Sequence, residues 1–168
     1  MDFVIRRYAS VEFRTAELAD AKAITNVINS AFRKAEGFFI ENERIDLEEV
    51  QKLLGTGTFL LSENKDVTMG CVYIEPHEDR AYLGLLSVAP ARQQSGLGSM
   101  LLAAAEDHCR RLGCRFMDIK IVNLRKELPE FYRKRGYVET GTSPFPAGVD
   151  TKLPCYFIDM TKLLVNEP

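Results

Sequence analysis

Between Leu86 and Ser99 the chain reads Leu86-Ser87-Val88-Ala89-Pro90-Ala91-Arg92-Gln93-Gln94-Ser95-Gly96-Leu97-Gly98-Ser99. A strand-like apolar run stops at Pro90, a short polar loop with two glycines follows, and a helix pattern opens at once. The chemistry of that arrangement is anion binding. The first N–H groups of a helix have no partners within it, and the helix dipole favours negative charge there. Glycine lets a phosphate come close to the backbone, so a pyrophosphate suits the turn. Glycines alone also fit a tight turn that binds nothing. A Rossmann fingerprint needs a third glycine where Leu101 stands, and a Walker A loop needs a lysine that is missing.

The elements that must hold this turn can be read from periodicity. Val11-Glu12-Phe13-Arg14 alternates as a strand, and residues 1–10 form either a loose arm or a strand extending the sheet's edge. Ile24, Val27, Ile28, Ala31 and Phe32 recur at helical spacing up to Gly37, with Asp20 near the start. A second helix begins at Asp46, an N-cap with Glu49 three residues on, carries Leu47, Val50, Leu53 and Leu54 on one face, and ends at Gly55 and Gly57. Runs at Thr58 to Leu61, Val67 to Glu75 and Ala81 to Val88 make an antiparallel meander, with turns at Asn64-Lys65-Asp66 and Pro76-His77-Glu78-Asp79. Tyr82-Leu83-Gly84-Leu85-Leu86 is nearly all apolar, as in a strand covered on both faces.

A helix then spans about Gly96 to Leu112 with Gly113 beyond it, Phe116 to Val122 is a strand, and Glu127 to Arg135 is a helix stopped by Gly136. Tyr137 to Thr142 and Cys155 to Leu163 supply the last strands. The sum is an α+β (α/β) fold: one mixed, mostly antiparallel sheet with helices on its faces. The strand–helix–strand crossover makes the fourth and fifth strands, Ala81 to Val88 and Phe116 to Val122, parallel.

Composition narrows the function. The 168 residues suit a single domain over 1–168, and a formal charge of −2 argues against nucleic acid as partner. No apolar run is long enough to cross a bilayer, and the first residues do not read as a secretory signal, so a cytoplasmic protein without a membrane partner is expected. Cys71, Cys109, Cys114 and Cys155 form no C-x-x-C pair, and only His77 and His108 accompany them. Reduced, partly buried cysteines and no metal are expected.

At the glycine turn the chain resembles the GNAT acyltransferases. Gln93-x-x-Gly96-x-Gly98 matches their Q/R-x-x-G-x-G/A signature, with Val88-x-Pro90 before it. Asn123-Leu-Arg-Lys-Glu-Leu-Pro-Glu-Phe-Tyr-Arg-Lys-Arg-Gly-Tyr137 is similar to the family's late block, an asparagine ending the fifth strand and then F-Y-x-x-x-G-[FY]. Thr140-Gly141-Thr142-x-Pro144-Phe145-Pro146 looks like a subgroup with a long final hairpin. Element order agrees from about residue 11 to 163.

The resemblance implies an N-acetyltransferase that moves the acetyl group of acetyl-CoA to a primary amine of a small molecule or peptide, by direct attack in a ternary complex. It implies that the fourth and fifth strands splay and that Leu86, Ser87 and Val88 pair with the pantetheine arm. It places Gln93, Gln94, Ser95, Gly96, Leu97, Gly98 and Ser99 around the pyrophosphate. Gln94 stands where relatives usually carry glycine, and a positive φ there carries a steric cost. Tyr132 is the implied donor to the leaving thiolate, with packing against Leu128 and Phe131 as its plain alternative. Asn123 binds cofactor or orients a water, or is a polar strand end. Glu75, at the end of the third strand, is the first candidate for general base and Asp118 the second, with an Asp118–Lys120 ion pair as the structural alternative. Glu36, Glu41, Glu43, Asp46, Glu48 and Glu49 border the implied acceptor region and favour a cationic amine, or are a solvated loop; Phe38 and Phe39 wall the cleft or close the core. A homodimer through late strands, with Cys155 to Met160 as candidate, is the implied assembly. Two rival readings stay open: a catalytically silent acyl-CoA-binding sensor, and an unrelated nucleotide-binding protein with the same turn.

Overall fold

A computed structural model describes residues 6–8 and 11–164; the start of the expected arm, residues 1–5, lies outside the described residues, as do residues 9–10. Among the described residues eight strands make one sheet: β1 (Arg6–Tyr8), β2 (Val11–Thr15), β3 (Thr58–Asn64), β4 (Val67–His77), β5 (Arg80–Val88), β6 (Phe116–Val122), β7 (Val138–Pro144) and β8 (Tyr156–Leu163). Among the described residues their order is β1-β2-β3-β4-β5-β6-β8-β7, and only β5 and β6 are parallel neighbours. The helices are α1 (Ala21–Glu36), α2 (Leu47–Thr56), α3 (Leu97–Arg111) and α4 (Leu128–Arg133). Arg6–Tyr8 pairs antiparallel with β2, so that part of the expected arm is the edge strand.

The central strands bury both faces, which is why β4 is apolar for most of its length. Val72 and Ile74 join a cluster with Leu101, Ala105, Ile119 and Tyr137 under α3. Cys71 and Tyr73 point the other way, toward Ile24, Ile28 and Val50 of α1 and α2. α2 starts as its sequence dictates: the Asp46 carboxylate accepts the Glu49 backbone N–H at 2.8 Å. Gly113 follows α3 with φ +86°, and Gly136 follows α4 with φ +93°. On β8, Lys162 donates to the buried Glu106 of α3 at 2.8 and 3.0 Å, tying helix to sheet.

Three sequence expectations need correction. The last helix is shorter than expected, six residues rather than the run from Glu127 to Arg135, because its backbone tightens into turns before Gly136. Asp118 does not pair with Lys120: Arg80 of β5 takes Asp118, while Asp159 of β8 takes Lys120. Cys155 to Met160 offers no free edge, since β8 is held between β6 and β7; the edge at this end is β7.

Candidate active site

β5 and β6 begin side by side and then part. Their pairing covers only Arg80↔Phe116, Ala81↔Met117 and Tyr82↔Asp118, although both strands run on. A β-bulge explains the divergence. Against β4, the register of β5 slips between Cys71 and Tyr73, and Leu85 sits at φ +55°. The extra residue bends β5 away, while β8 holds β6 along its whole length. A cleft of about 480 Å³ opens between them, with Leu83 to Leu86 and Val88 on one wall and Ile119 to Val122 on the other. The apolar run at Tyr82–Leu86 is therefore only partly a doubly covered strand: Leu85 and Leu86 are half-buried and face the opening. Backbone groups along such a gap need partners, and an extended ligand can supply them.

The glycine turn begins where β5 ends, at the end of the split where the two strands no longer pair. Ala89 N–H donates to Met69 at 2.8 Å, a short 3₁₀ turn spans Pro90–Arg92, and the Gln93 amide donates back to the Val88 carbonyl at 3.2 Å. Gln94 takes φ +64° and Gly96 φ +81°, so the backbone curls just before α3. Gly96 is exposed and has nothing within 4 Å of where a Cβ would stand. Gln93 and Gly98 line the cleft. Ser95 spends its hydroxyl on the Arg92 carbonyl, and Gln94 is exposed. Leu97 puts its side chain into the core at 3 % exposure, leaving only its backbone for a ligand. Ser99 accepts a hydrogen bond from Arg135, whose guanidinium stacks 3.7 Å from the Phe131 ring centroid. The open space at Gly96, the free helix N-terminus and the cleft beside Gly98 fit an acyl-CoA pyrophosphate and arm.

Ser87 is buried, and its hydroxyl donates to the Leu85 carbonyl at 2.9 Å, so Leu86 and Val88 line the cleft and Ser87 does not. Tyr132 lines the cleft from α4 at 5 % exposure, edge-on to Phe131 and Tyr137 at 5.0 and 5.4 Å. Its hydroxyl has no hydrogen bond to protein among the described residues, and burial pushes its pKa up to about 12. Asn123 uses its side-chain oxygen to accept the Tyr156 N–H at 2.9 Å, which closes the start of β8, and it is not on the cleft wall.

The carboxylates divide clearly. Glu75 stands opposite Tyr82 near the end of β4, 3.4 Å from His77, and outside the cleft lining. Asp118 accepts two bonds from Arg80 at 2.7 and 2.6 Å and one from Thr161 at 2.6 Å, and the Arg80 bonds hold its pKa low. Glu36, at the end of α1, faces the cleft at 6 % exposure, 3.3 Å from Arg125. Burial raises its pKa, against the pull of Arg125 and Arg44. Of the acidic residues near the first two helices, only Glu36 and Glu43 reach the cleft; Phe39 is fully buried, Phe38 is exposed, and neither lines it. His77 is exposed, and burial lowers the pKa of His108 on α3.

Tyr82, Arg44 and Arg125 line the cleft too, and the sequence reading missed them. Arg125 carried one usable signal, its place between Asn123 and Tyr132; Arg44 carried none. Two loops meet beside the α1 side of the cleft. The α1–α2 loop and the β7–β8 connection pair at Ile40↔Thr151, and Lys152 N–H donates to Phe39 at 2.7 Å. Among the described residues no group of three or more His, Cys, Asp or Glu gathers, and no helix is long and apolar enough to cross a membrane.

Comparison with known proteins supports the same reading. The model of the acetyltransferase (GNAT) family matches residues 8–137. The structure of yncA from Salmonella typhimurium, solved with its cofactor acetyl-CoA, is 25 % identical, with 95 % of this chain and 97 % of that one covered and a TM-score of 0.71. PaiA N-acetyltransferase of Thermoplasma acidophilum, in complex with coenzyme A, is 18 % identical over 92 % of this chain and 99 % of that one, with a TM-score of 0.75. The ribosomal-protein-alanine N-acetyltransferase of Brucella melitensis is 21 % identical over 90 % and 98 %, with a TM-score of 0.74. No curated protein matches in sequence. With the motif, the splayed strands and a family match over most of its length, this chain belongs to the GNAT acetyltransferase family, whose reaction is acetyl transfer from acetyl-CoA.

Proposed function

We propose that the protein is an N-acetyltransferase that joins acetyl-CoA and a primary amine in one ternary complex. The observation that carries this is Tyr132: a buried phenol with no hydrogen bond to protein among the described residues, facing the gap between β5 and β6. In this reading the acetyl-CoA arm lies along Leu86–Val88, with its pyrophosphate over Gln93–Ser99. The amine attacks the thioester carbonyl, the C–N bond forms, the C–S bond breaks, and the Tyr132 hydroxyl gives the departing thiolate its proton. The amine sheds a proton to a carboxylate. Glu75, away from the cleft wall, serves as base only through an intervening water. Two of the structural relatives are named N-acetyltransferases, which supports an amine as acceptor. The four free cysteines, three of them buried, support a reducing, cytoplasmic setting.

A silent acyl-CoA sensor is the second reading, favoured by the left-handed strain at Gln94 and by the use of Asn123 to hold β8. Calorimetric titration with acetyl-CoA, followed by thiol release on an amine panel, separates the two. Binding with turnover supports the enzyme; binding with no turnover on any amine supports the sensor; no binding defeats both.

A further inference from the structure

The α1 side of the cleft, beside these two loops, carries opposite charges in equal number. Glu36, Glu43 and Asp150 line it with Arg44, Lys120 and Arg125. Most are already neutralised. Arg33 takes Glu43, and Lys120 is held by Asp159 at 3.2 Å and Ser143 at 2.8 Å. Arg125 makes its shorter bond, 2.6 Å, to Glu127 and only a 3.3 Å bond to Glu36. Glu36 is thus a buried carboxylate with one long ion pair, to Arg125, and a more distant pull from Arg44, a costly state that a bound cation relieves. Arg44 has no carboxylate in ion-pair range among the described residues, and its guanidinium lies 5.5 Å from the Phe32 ring centroid. Asp150, on the β7–β8 connection, also has no ion pair among the described residues. Between these charges the walls are aromatic: Phe32, Phe145 and Phe157.

Resting on the N-acetyltransferase reading, we propose that the acceptor is a small zwitterion. It is an amine bearing its own carboxylate, or a comparable anion, on a partly apolar frame, with Arg44 receiving the anion and Glu36 the ammonium. A polyamine does not suit this side, because its second cation meets Arg44 and the wall offers no net negative charge. A neutral amine leaves Arg44 without a counter-charge. A protein tail brings a backbone amide where the zwitterion brings its carboxylate, so it too leaves Arg44 without an anion.

The test is thiol release from acetyl-CoA with the standard amino acids, their C-terminal amides, spermidine and a short peptide with a free N-terminus. At least one amino acid should exceed its amide, spermidine and the peptide by about tenfold in kcat/KM. Arg44 is exposed, so Arg44→Gln should leave the fold intact. It should cut kcat/KM for the acid about 10- to 100-fold, as for a lost charge-assisted bond, while the amide changes little. Calorimetry of the same acid into CoA-saturated protein should show the same loss of affinity. Equal or better use of spermidine, the amide or the peptide overturns the proposal but leaves N-acetylation standing. An Arg44→Gln variant that slows acid and amide alike overturns it too, as does failure of every acid to bind or react. Absence of acetyl-CoA binding defeats the parent reading instead.

Discussion

The Tyr132 hydroxyl has no hydrogen bond to protein among the described residues and the residue lines the cleft, so it is free for a ligand. In the proposed reaction that ligand atom is the thioester sulfur, so Tyr132→Phe should lower kcat by about 10²-fold or more. Acetyl-CoA affinity, measured by calorimetry, should move by less than about threefold, since one hydroxyl among many contacts is lost. Unchanged turnover removes the proton-donor role. With its pKa up at about 12, Tyr132 stays protonated at working pH, so any ionisation that limits the rate between pH 6 and 9 belongs to another group. Glu36 gives a second prediction. Its folded pKa is above its unfolded value, so the folded state holds the proton more tightly. Its stabilising share is complete near pH 4 and is lost as pH rises through the folded value. Glu36→Gln should therefore raise Tm at pH 8 and leave it unchanged near pH 4. A fall in Tm at pH 8 means that the Arg125 pairing outweighs burial. At this scale Tyr132 and the glycines were legible, because their neighbours in sequence form the motif. Glu36 was visible only as one acid among several, because which of them turns inward depends on where α1 ends over β4 and β5.

Among the elements, the turn before α3 is where backbone geometry and ligand chemistry meet. Gln94 at φ +64° and Gly96 at φ +81° curl the chain just ahead of the helix N-terminus, a backbone geometry suited to anions. Proline cannot adopt positive φ, so Gln94→Pro should weaken acetyl-CoA binding at least about tenfold; Gln94→Gly should hold or improve it. At Gly96 strain and charge can be separated. Asparagine and aspartate tolerate the left-handed region almost equally well, and the space around Gly96 is open. Gly96→Asp should bind acetyl-CoA at least about tenfold more weakly than Gly96→Asn, through repulsion of phosphate. Equal affinity in the two variants removes the pyrophosphate from this turn. Element order was legible because periods of two and 3.6 alternate cleanly along the chain, and the Asp46 cap and the Gly113 stop act through their own backbone. The Leu85 bulge was not legible. It exists in the register between β4 and β5, and neither strand alone encodes a register.

At the scale of the molecule, the sheet carries a core on each face, yet lacks hydrogen-bonded pairing beyond Tyr82 and Asp118, where β5 and β6 part. Strand count and crossover were readable from the sequence; the depth of the split was not, since it follows from β8 fixing β6 while the bulge turns β5 aside. A ligand that fills the split binds the folded chain only, and so must stabilise it by mass action. Acetyl-CoA at 100 times its Kd should add about 2.7 kcal/mol. For a domain of this size that is roughly a 5–10 °C rise in Tm. ATP shares the phosphates but has no arm to lie along Leu86–Val88, and NAD has no thioester reach, so both should leave Tm within about 1 °C at the same concentration. Amide exchange should slow along 83–88 and 119–122, the two walls of the split, with little change in β1 and β2. A rise with ATP equal to that with acetyl-CoA assigns the binding energy to the phosphates alone and takes the arm out of the cleft. A rise confined to acetyl-CoA, with protection on both walls, means that the donor completes the sheet where the chain leaves it open.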